Sequence, residues 1–441
     1  SYMSEYAEIV IGKLSLCWFR NYLDGEIVRL FFSKNDLVVF RDCKIDGEEV
    51  GTFTKYIYRT TVKRAKERLD ALGYGINNFE KTFNNKMFQA IDYSAFLYHL
   101  HVDYDEDAQE TELRIKKNVT FKKWKNAMRK IINYEVANGN ISWHGTVSDV
   151  TIRTECDKII FYSLKDEDNS MIYALNPEII HRAFIYRLIL ENCTDDTEVL
   201  LDFSNLAFWD DDCIPKALEA TENIEKTIVL VEGTSDKDIL EFSMSQLYPH
   251  LSDLFYFMDF DDKDWGKRDG GTSFVIKNLK ILYFSKINSR VIAIFDNDGE
   301  GYLSRCKLLN QIKNCPENIR ILLYPELELF RKYPTIASNG GIVSDNINRK
   351  AASIELYLPD NIIKYNGEYC PIHWKTISKT KNVTGDQEVL YQGAISHKKE
   401  IKDRFHEVRN KIERGDLIFK EEEWKRMKKL LETIVFAFNK E

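Results

Sequence analysis

A chain of 441 residues is too long for one ordinary hydrophobic core and is expected to divide into two or three domains. Its 44% hydrophobic and 30% charged residues describe a soluble globular protein, and no apolar run approaches the roughly 18 residues of a membrane helix. A net charge of −8 does not advertise affinity for polyanions, so a nucleic-acid partner would need a local basic patch. In chain order, "EIVIGKLSLCWF", "EIVRLFF" and "DLVVF" read as short strands within residues 4–60. "TTVKRAKERLDALG" reads as a helix with Thr60 or Thr61 as cap and Gly73 as stop. Residues 76–135 read as mainly helical, "VTIRTECDKIIFYSL" (150–164) as strands, and 176–193 as a helix with Pro177 in its first turn. "EVLLDFSNLAF" reads as a strand running into Asp210, Asp211 and Asp212.

From Glu225 the rhythm changes. "KTIVLVEG", "RVIAIFDNDGEG" and "NIRILLYP" are strands, and helices follow "VEGTSD", "GGTS" and "DNDGEG". That alternation predicts a parallel sheet with crossover helices, which binds ligands beyond the carboxyl ends of its strands. Residues 361–441 read as irregular at first and helical from about Ser396 to Phe438. The expected division is an α+β region over 3–222, an α/β domain over 223–360 and a mostly helical extension over 361–441.

Eight scattered cysteines without a CxxC pair suit reduced thiols in a cytoplasm, and neither they nor the histidines have zinc-site spacing. His99 and His101 share one strand face but lack a third ligand. Nothing at the start has the form of a secretory leader, and Met3 reads as the natural start. Arg114 to Lys130 carries eight basic residues and no acidic one. Phe121, Trp124 and Met128 share one helical face there, so the segment is either a core-facing stripe under solvated lysines or a nucleic-acid contact. "HWKTISKTK" (373–381) is a second basic stretch.

The chemistry concentrates in three carboxylates. Glu232, Asp296 and Asp298 come from two strand ends of one expected sheet. Crowded carboxylates raise one another's pKa, and a hard divalent ion offsets that repulsion. Mg²⁺ or Mn²⁺ held by few protein carboxylates can also take phosphate oxygens, which suits phosphodiester hydrolysis. An EF-hand is excluded because Lys307 stands where a bidentate glutamate is needed, and no GxxxxGK[ST] loop occurs. Gly270 and Gly271 either approach a phosphate or simply turn into a helix.

"VLVEG" and "AIFDNDGEG" resemble the Toprim domain of topoisomerases, DnaG-type primases and overcoming-lysogenization-defect (OLD) nucleases. Glu232, Asp296 and Asp298 match its glutamate and DxD positions. Resemblance to the OLD-like branch implies Asp236 of "EGTSD" as a second-metal ligand. "NRKAASIELYL" resembles that branch's basic-then-acidic segment, with leucine where asparagine is usual. There Lys350 is implied as the cation stabilising the transition state, with Arg349 as its understudy, and Glu355 as a further metal ligand. With "YRTTVKRAKERLDALG", "RLILENCTDDTEVLLDFSNL" and "YQGAISHKKEIKDRF", nearly the whole chain resembles bacterial HEPN/Toprim-associated proteins, predicted defence effectors. The resemblance implies a metal-dependent nuclease acting on DNA or tRNA in the cytoplasm under a regulatory defence partner. The alternative is a non-catalytic Toprim-fold assembly subunit. The HEPN ribonuclease motif is incomplete: Arg409 and Asn410 are followed by Arg414 where histidine is required, and a guanidinium does not exchange protons at neutral pH. The terminal helix "EEEWKRMKKLLETIVFAF" offers an apolar face for self-association or for the protein's own core.

Overall fold

The computed structural model describes residues 6–44, 52–91, 113, 115–138, 153–165, 175–209, 212–259, 271–312, 314–381 and 387–439. His99, His101, Asp210, Asp211 and Gly270 lie outside the described residues. The chain forms two compact units, residues 1–224 and 225–440.

The first unit is built on a five-stranded antiparallel sheet. Its strands are β1 (Tyr6–Ile11), β2 (Leu14–Arg20), β3 (Leu37–Lys44), β4 (Thr52–Thr61) and β5 (Glu198–Asp202), in the order β2-β1-β5-β4-β3. Ala7, Ile9 and Ile11 alternate into the core, as a half-buried strand requires. The helices are α1 (Gly25–Phe31), α2 (Val62–Ala71), α3 (Ile76–Ala90), α4 (Phe121–Asn138), α5 (Glu155–Lys165), α6 (Ala183–Glu191), α7 (Ser204–Trp209) and α8 (Cys213–Glu222). Thr61 caps α2 through the Arg64 amide, and Gly73 follows it at φ 85°. Phe121, Trp124 and Met128 of α4 are buried, and Trp124 packs against Phe79 at 5.5 Å and Phe83 at 5.0 Å. The basic segment is therefore a core stripe beneath exposed Lys122, Lys123 and Arg129.

Several local expectations are corrected. "EIVRLFF" lies in helix α1, where Asp24 accepts from the Glu26 amide and Ile27, Val28, Leu30 and Phe31 share the buried face. Residues 155–165 are helical, because Thr154 and Asp157 form a reciprocal pair of cap bonds, Asp157 N to Thr154 Oγ1 at 3.1 Å and Thr154 N to Asp157 Oδ2 at 2.9 Å. Pro177 sits in a turn in which Asn176 accepts from the Glu178 amide, and the helix begins only at Ala183. Strand β5 ends at Asp202, whose side chain takes the Ser204 amide at 3.0 Å and starts α7.

The second unit holds the parallel sheet: β6 (Thr227–Leu230), β7 (Phe255–Met258), β8 (Val291–Phe295) and β10 (Ile319–Leu323), in the order β10-β8-β6-β7. Helices α9 (Thr234–Leu247), α10 (Thr272–Phe284) and α11 (Gly299–Gln311) accompany it. All five residues of β8 are buried, as expected for a parallel strand covered on both faces. The chain steps from β6 outward to β7 and then returns to the other side of β6 with β8. The β6–β8 gap is thus the topological switch point, where such sheets open a crevice at their carboxyl ends.

Beyond β8, the short strand β9 (Asn297–Asp298) pairs antiparallel with β13 (Ala351–Ala352). A second sheet contains β11 (Tyr333–Ile336), β12 (Ile342–Asp345), β16 (Ile372–Lys381) and β17 (Gln387–Ile395), in the order β12-β11-β16-β17. A small hairpin of β14 (Lys364–Tyr365) and β15 (Glu368–Tyr369) precedes the longer one. Residues 361–395 thus contain a β16–β17 hairpin where the sequence reads as irregular. Helices α12 (Asp360–Ile363), α13 (Lys398–Glu413) and α14 (Lys425–Val435) complete the unit. In α14, Met427, Leu430, Leu431, Ile434 and Val435 are buried, so its apolar face closes the protein's own core. Among the described residues no helix is long and apolar enough to cross a membrane.

Candidate metal centre

Strands β6 and β8 are hydrogen-bonded neighbours, with Leu230 opposite Ala293, and both run out at the switch point. Two residues beyond β6, Glu232 turns its Oε1 onto the backbone amide of Asp296 at 3.0 Å. The first carboxylate therefore lies beside the second, as the acidic strand ends led us to expect. Burial, then the charge of Asp298, push the Glu232 carboxyl up to about 8 against the pull of the Asp296 amide. The Gly271 amide bonds the Glu232 carbonyl at 2.9 Å, fastening the start of α10 to this turn.

Asp296 is the focus. Its Oδ1 is buried without a hydrogen-bond partner. Its carboxyl is raised well above the carboxylate range, first by burial and then by the charges of Glu232, Asp236, Asp298 and Glu355. All four other candidate ligands thus bear on this one group. Asp298 is better satisfied: Oδ1 accepts from the Gly301 amide at 2.7 Å and caps α11, while Gln392 Nε2 donates to Oδ2. Between them, fully buried Asn297 donates to Asn348 Oδ1 at 3.1 Å and accepts from the Arg349 amide at 2.8 Å. The DND segment is therefore pinned to residues 348–349 and is more than a loose turn. Gly301 is required because a Cβ there would lie 2.2 Å from the Asp296 carbonyl oxygen.

Asp236, in the first turn of α9, is buried and pushed up to about 7 by burial and the charge of Glu355. Gly233 is the cap of that helix, and Ser235 instead accepts from Lys402 Nζ at 2.9 Å. Glu355 is 1% exposed. Burial pulls its carboxyl up, but Lys398 at 3.1 Å, Ser353 at 2.7 Å and Lys402 at 3.6 Å outweigh it and hold the group below its usual value. The lysines facing the cluster thus come from α13: the charges of Glu355, Asp296 and Asp236 outweigh partial desolvation and hold the half-exposed Lys398 ammonium above its ordinary value.

The implied role of Lys350 meets a different geometry. Its backbone bridges Asp298, but its ammonium lies 3.9 Å from Asp345 and 6.0 Å from the Trp374 ring centre. Arg349, at φ 60°, pairs with Glu326 at 2.7 Å and lies over Tyr302. Gln392, Lys398 and Lys402 were missed by sequence reasoning. The i,i+4 spacing of the two lysines on one helix was the available signal, whereas Gln392 left none. Arg409, of the incomplete HEPN motif, pairs with Glu413 at 2.8 Å along α13.

The donor set fits a hard cation: all oxygen, strongly anionic, with a buried oxygen on Asp296 that nothing in the protein satisfies. Among the described residues no three His, Cys, Asp or Glu side chains form a ready-made cage. Glu232 and Asp298 each accept from a backbone amide in this arrangement.

Fold and site together define an α/β protein whose parallel sheet gathers five carboxylates at its switch point. Residues 3–219 match the family model HEPN/Toprim N-terminal domain 1, so this N-terminal region belongs to that family. No curated protein and no solved structure matches the chain.

Proposed function

We propose that the chain is a Toprim-type, OLD-like phosphodiesterase that hydrolyses nucleic acid, DNA or tRNA, with Mg²⁺ or Mn²⁺, as a cytoplasmic anti-phage effector. The observation that carries this reading is the buried, unpartnered oxygen of Asp296 amid four other carboxylates. Asp296 and Asp298 would hold one ion with Glu232, and Asp236 and Glu355 would complete a second position. Bound ions supply the charge that offsets a phosphate's and the acidity that readies a water for attack. Glu232, whose carboxyl lies near 8 in the ion-free protein, can take or give a proton at its free oxygen around neutral pH. Gln392 fixes the Asp298 carboxylate, and Lys398 brings a positive charge to the cluster. Lys350 is then freed for contact with substrate outside the reacting centre.

Plasmid, linear DNA and tRNA are to be incubated with each metal, using wild type, Glu232→Ala and Asp296→Ala. Wild type should cleave at least one substrate, and each variant should lose on the order of a hundredfold or more in rate. Equal cleavage by all three proteins removes these residues from the mechanism. One rival is a non-catalytic assembly module built on the same fold. Calorimetry separates the two: weak ion binding that is indifferent to Asp298→Ala would support the scaffold.

A further inference from the structure

A cleft of about 540 Å³ opens beside the carboxylate cluster, lined by Ile336, Asp345, Lys350, His373, Trp374 and Tyr391 among others. That volume is ordinary for a small-ligand site. Its chemistry is two aromatic faces, a cation and an imidazole, with one carboxylate. Tyr391 is 50% exposed, and Lys350 stands over the Trp374 ring.

The cleft and the cluster share a strand. On β17, Gln392 reaches inward to Asp298 and to the Glu300 amide at 3.0 Å, while Tyr391 beside it lines the cleft, since successive side chains of a strand face opposite ways. On the facing segment, Ala351 pairs with Asp298 while Lys350 reaches into the cleft. The Lys350 carbonyl accepts from the Gly393 amide at 2.9 Å, and Gly393 pairs with Trp374. Gly393 has no room for a side chain, since a Cβ would come within 2.4 Å of Ala351 Cβ and 2.5 Å of Ile372 Cγ2. The aromatic floor is therefore locked against the segment that pairs with the acidic tip.

We infer that this cleft is a stacking subsite for an unpaired nucleobase, which makes the substrate a single-stranded or locally unpaired nucleic acid. The inference rests on the nuclease reading and specifies its substrate class. Aromatic faces bind bases of any sequence by stacking, and a duplex hides those faces against its own neighbours. Lys350 contacts the phosphate next to the stacked base. Asp345 repels a phosphate from the middle of the cleft and offers an acceptor to the amino edge of a base.

The test uses the full chain with Asp296→Asn as background, in EDTA, so that binding is read without cleavage. Anisotropy of labelled single-stranded 12-mers of DNA and RNA is compared with that of a blunt duplex of the same length. Single strands should bind at least about tenfold tighter than duplex, and Trp374→Ala and Tyr391→Ala should each weaken single-strand binding by roughly tenfold. Trp374→Phe should retain most of the affinity, and Lys350→Gln should flatten the salt dependence. Thermal melting checks that each variant folds, and the exposed Tyr391 keeps the test valid if Trp374→Ala does not. Equal affinity for strand and duplex, or Tyr391→Ala binding like its parent, overturns the subsite. Failure of the wild type to cleave with either metal, while this discrimination persists, sinks the nuclease reading and leaves the subsite standing.

Discussion

Two aspartates with carboxylates withdrawn from solvent, one in each unit, meet opposite fates. Asp157 in the N-terminal unit accepts on one oxygen from Lys130 Nζ at 2.7 Å, the Thr154 amide at 2.9 Å and the Arg153 amide at 3.0 Å. Burial pulls its carboxyl up, but those donors outweigh burial and hold it below the usual range. Asp296 in the C-terminal unit has a buried oxygen that accepts nothing, and burial with four neighbouring carboxylates drives it upward. Desolvation raises both carboxyls, so desolvation alone does not mark a site. What separates them is demand left unmet by the protein, which for a carboxylate among carboxylates is met by a proton or by a cation.

The sharpest way to break the contrast is to exchange the losses. Asp296→Ala should remove cleavage by a hundredfold or more while leaving the fold intact, whereas Asp157→Ala should leave cleavage nearly unchanged. Parallel rate and circular-dichroism measurements on both variants decide this. If Asp157→Ala costs as much activity as Asp296→Ala, the distinction between a structural and a functional carboxylate is lost.

Gly301→Ala should come next in effect. Its methyl would sit 2.2 Å from the Asp296 carbonyl oxygen, which is backbone and cannot rotate away. The start of α11 must lift, at a cost of about 3 kcal/mol, and the Asp298 cap bond is disturbed with it. Denaturant unfolding of the variant should show this as a lowered midpoint for the C-terminal unit, along with lost cleavage. A midpoint and a rate both equal to wild type would mean that α11 does not press on the acidic tip as described.

Asp157→Ala is the stability counterpart. Removing the group that takes two backbone amides and an ammonium unties the first turn of α5, at about 2 kcal/mol. The sign with pH follows from its depressed pKa. Its contribution is complete above the ordinary carboxylate value and is lost only as pH falls through the lower folded value. Urea midpoints of variant and wild type should therefore differ at pH 7 and converge in strong acid.

What could be read beforehand follows the same divide. The Glu232–Asp296–Asp298 grouping was legible because two apolar β-branched runs ending in acidic turns are local signals, and parallel sheets bring such ends together. Helix α2 was legible for a similar reason, with Thr61 and Gly73 marking its ends. Helices α1 and α5 were misread because their β-branched residues outvoted their caps. Asp24, and Thr154 with Asp157 three residues on, carried the correct signal. Gln392 was not legible at all. It sits 94 residues from Asp298 on a strand whose pairing is set by tertiary contacts, and no local pattern encodes that distance. Lys350 shows the converse: its backbone lies beside Asp298, while strand alternation sends its ammonium into the neighbouring cleft.

The smallest expected effect concerns Glu232, and its sign is opposite to that of Asp157. A carboxyl raised from 4.5 to about 8 in the folded, ion-free protein binds its proton more tightly there than in the unfolded chain. Its contribution to stability is therefore complete below pH 4.5 and is lost as pH rises through about 8. Because Asp296 and Asp298 compete for the same proton, the share visible in one substitution is modest, roughly 1 kcal/mol. Glu232→Gln keeps an acceptor for the Asp296 amide and removes the titrating charge. In EDTA its urea midpoint should fall less between pH 5 and pH 8 than that of wild type. Mg²⁺ should restore the wild type at pH 8 and do less for the variant, because an ion that replaces the proton stabilises only where the carboxylate is there to receive it. Parallel pH slopes for the two proteins, with and without Mg²⁺, would place the unmet demand elsewhere than at this cluster.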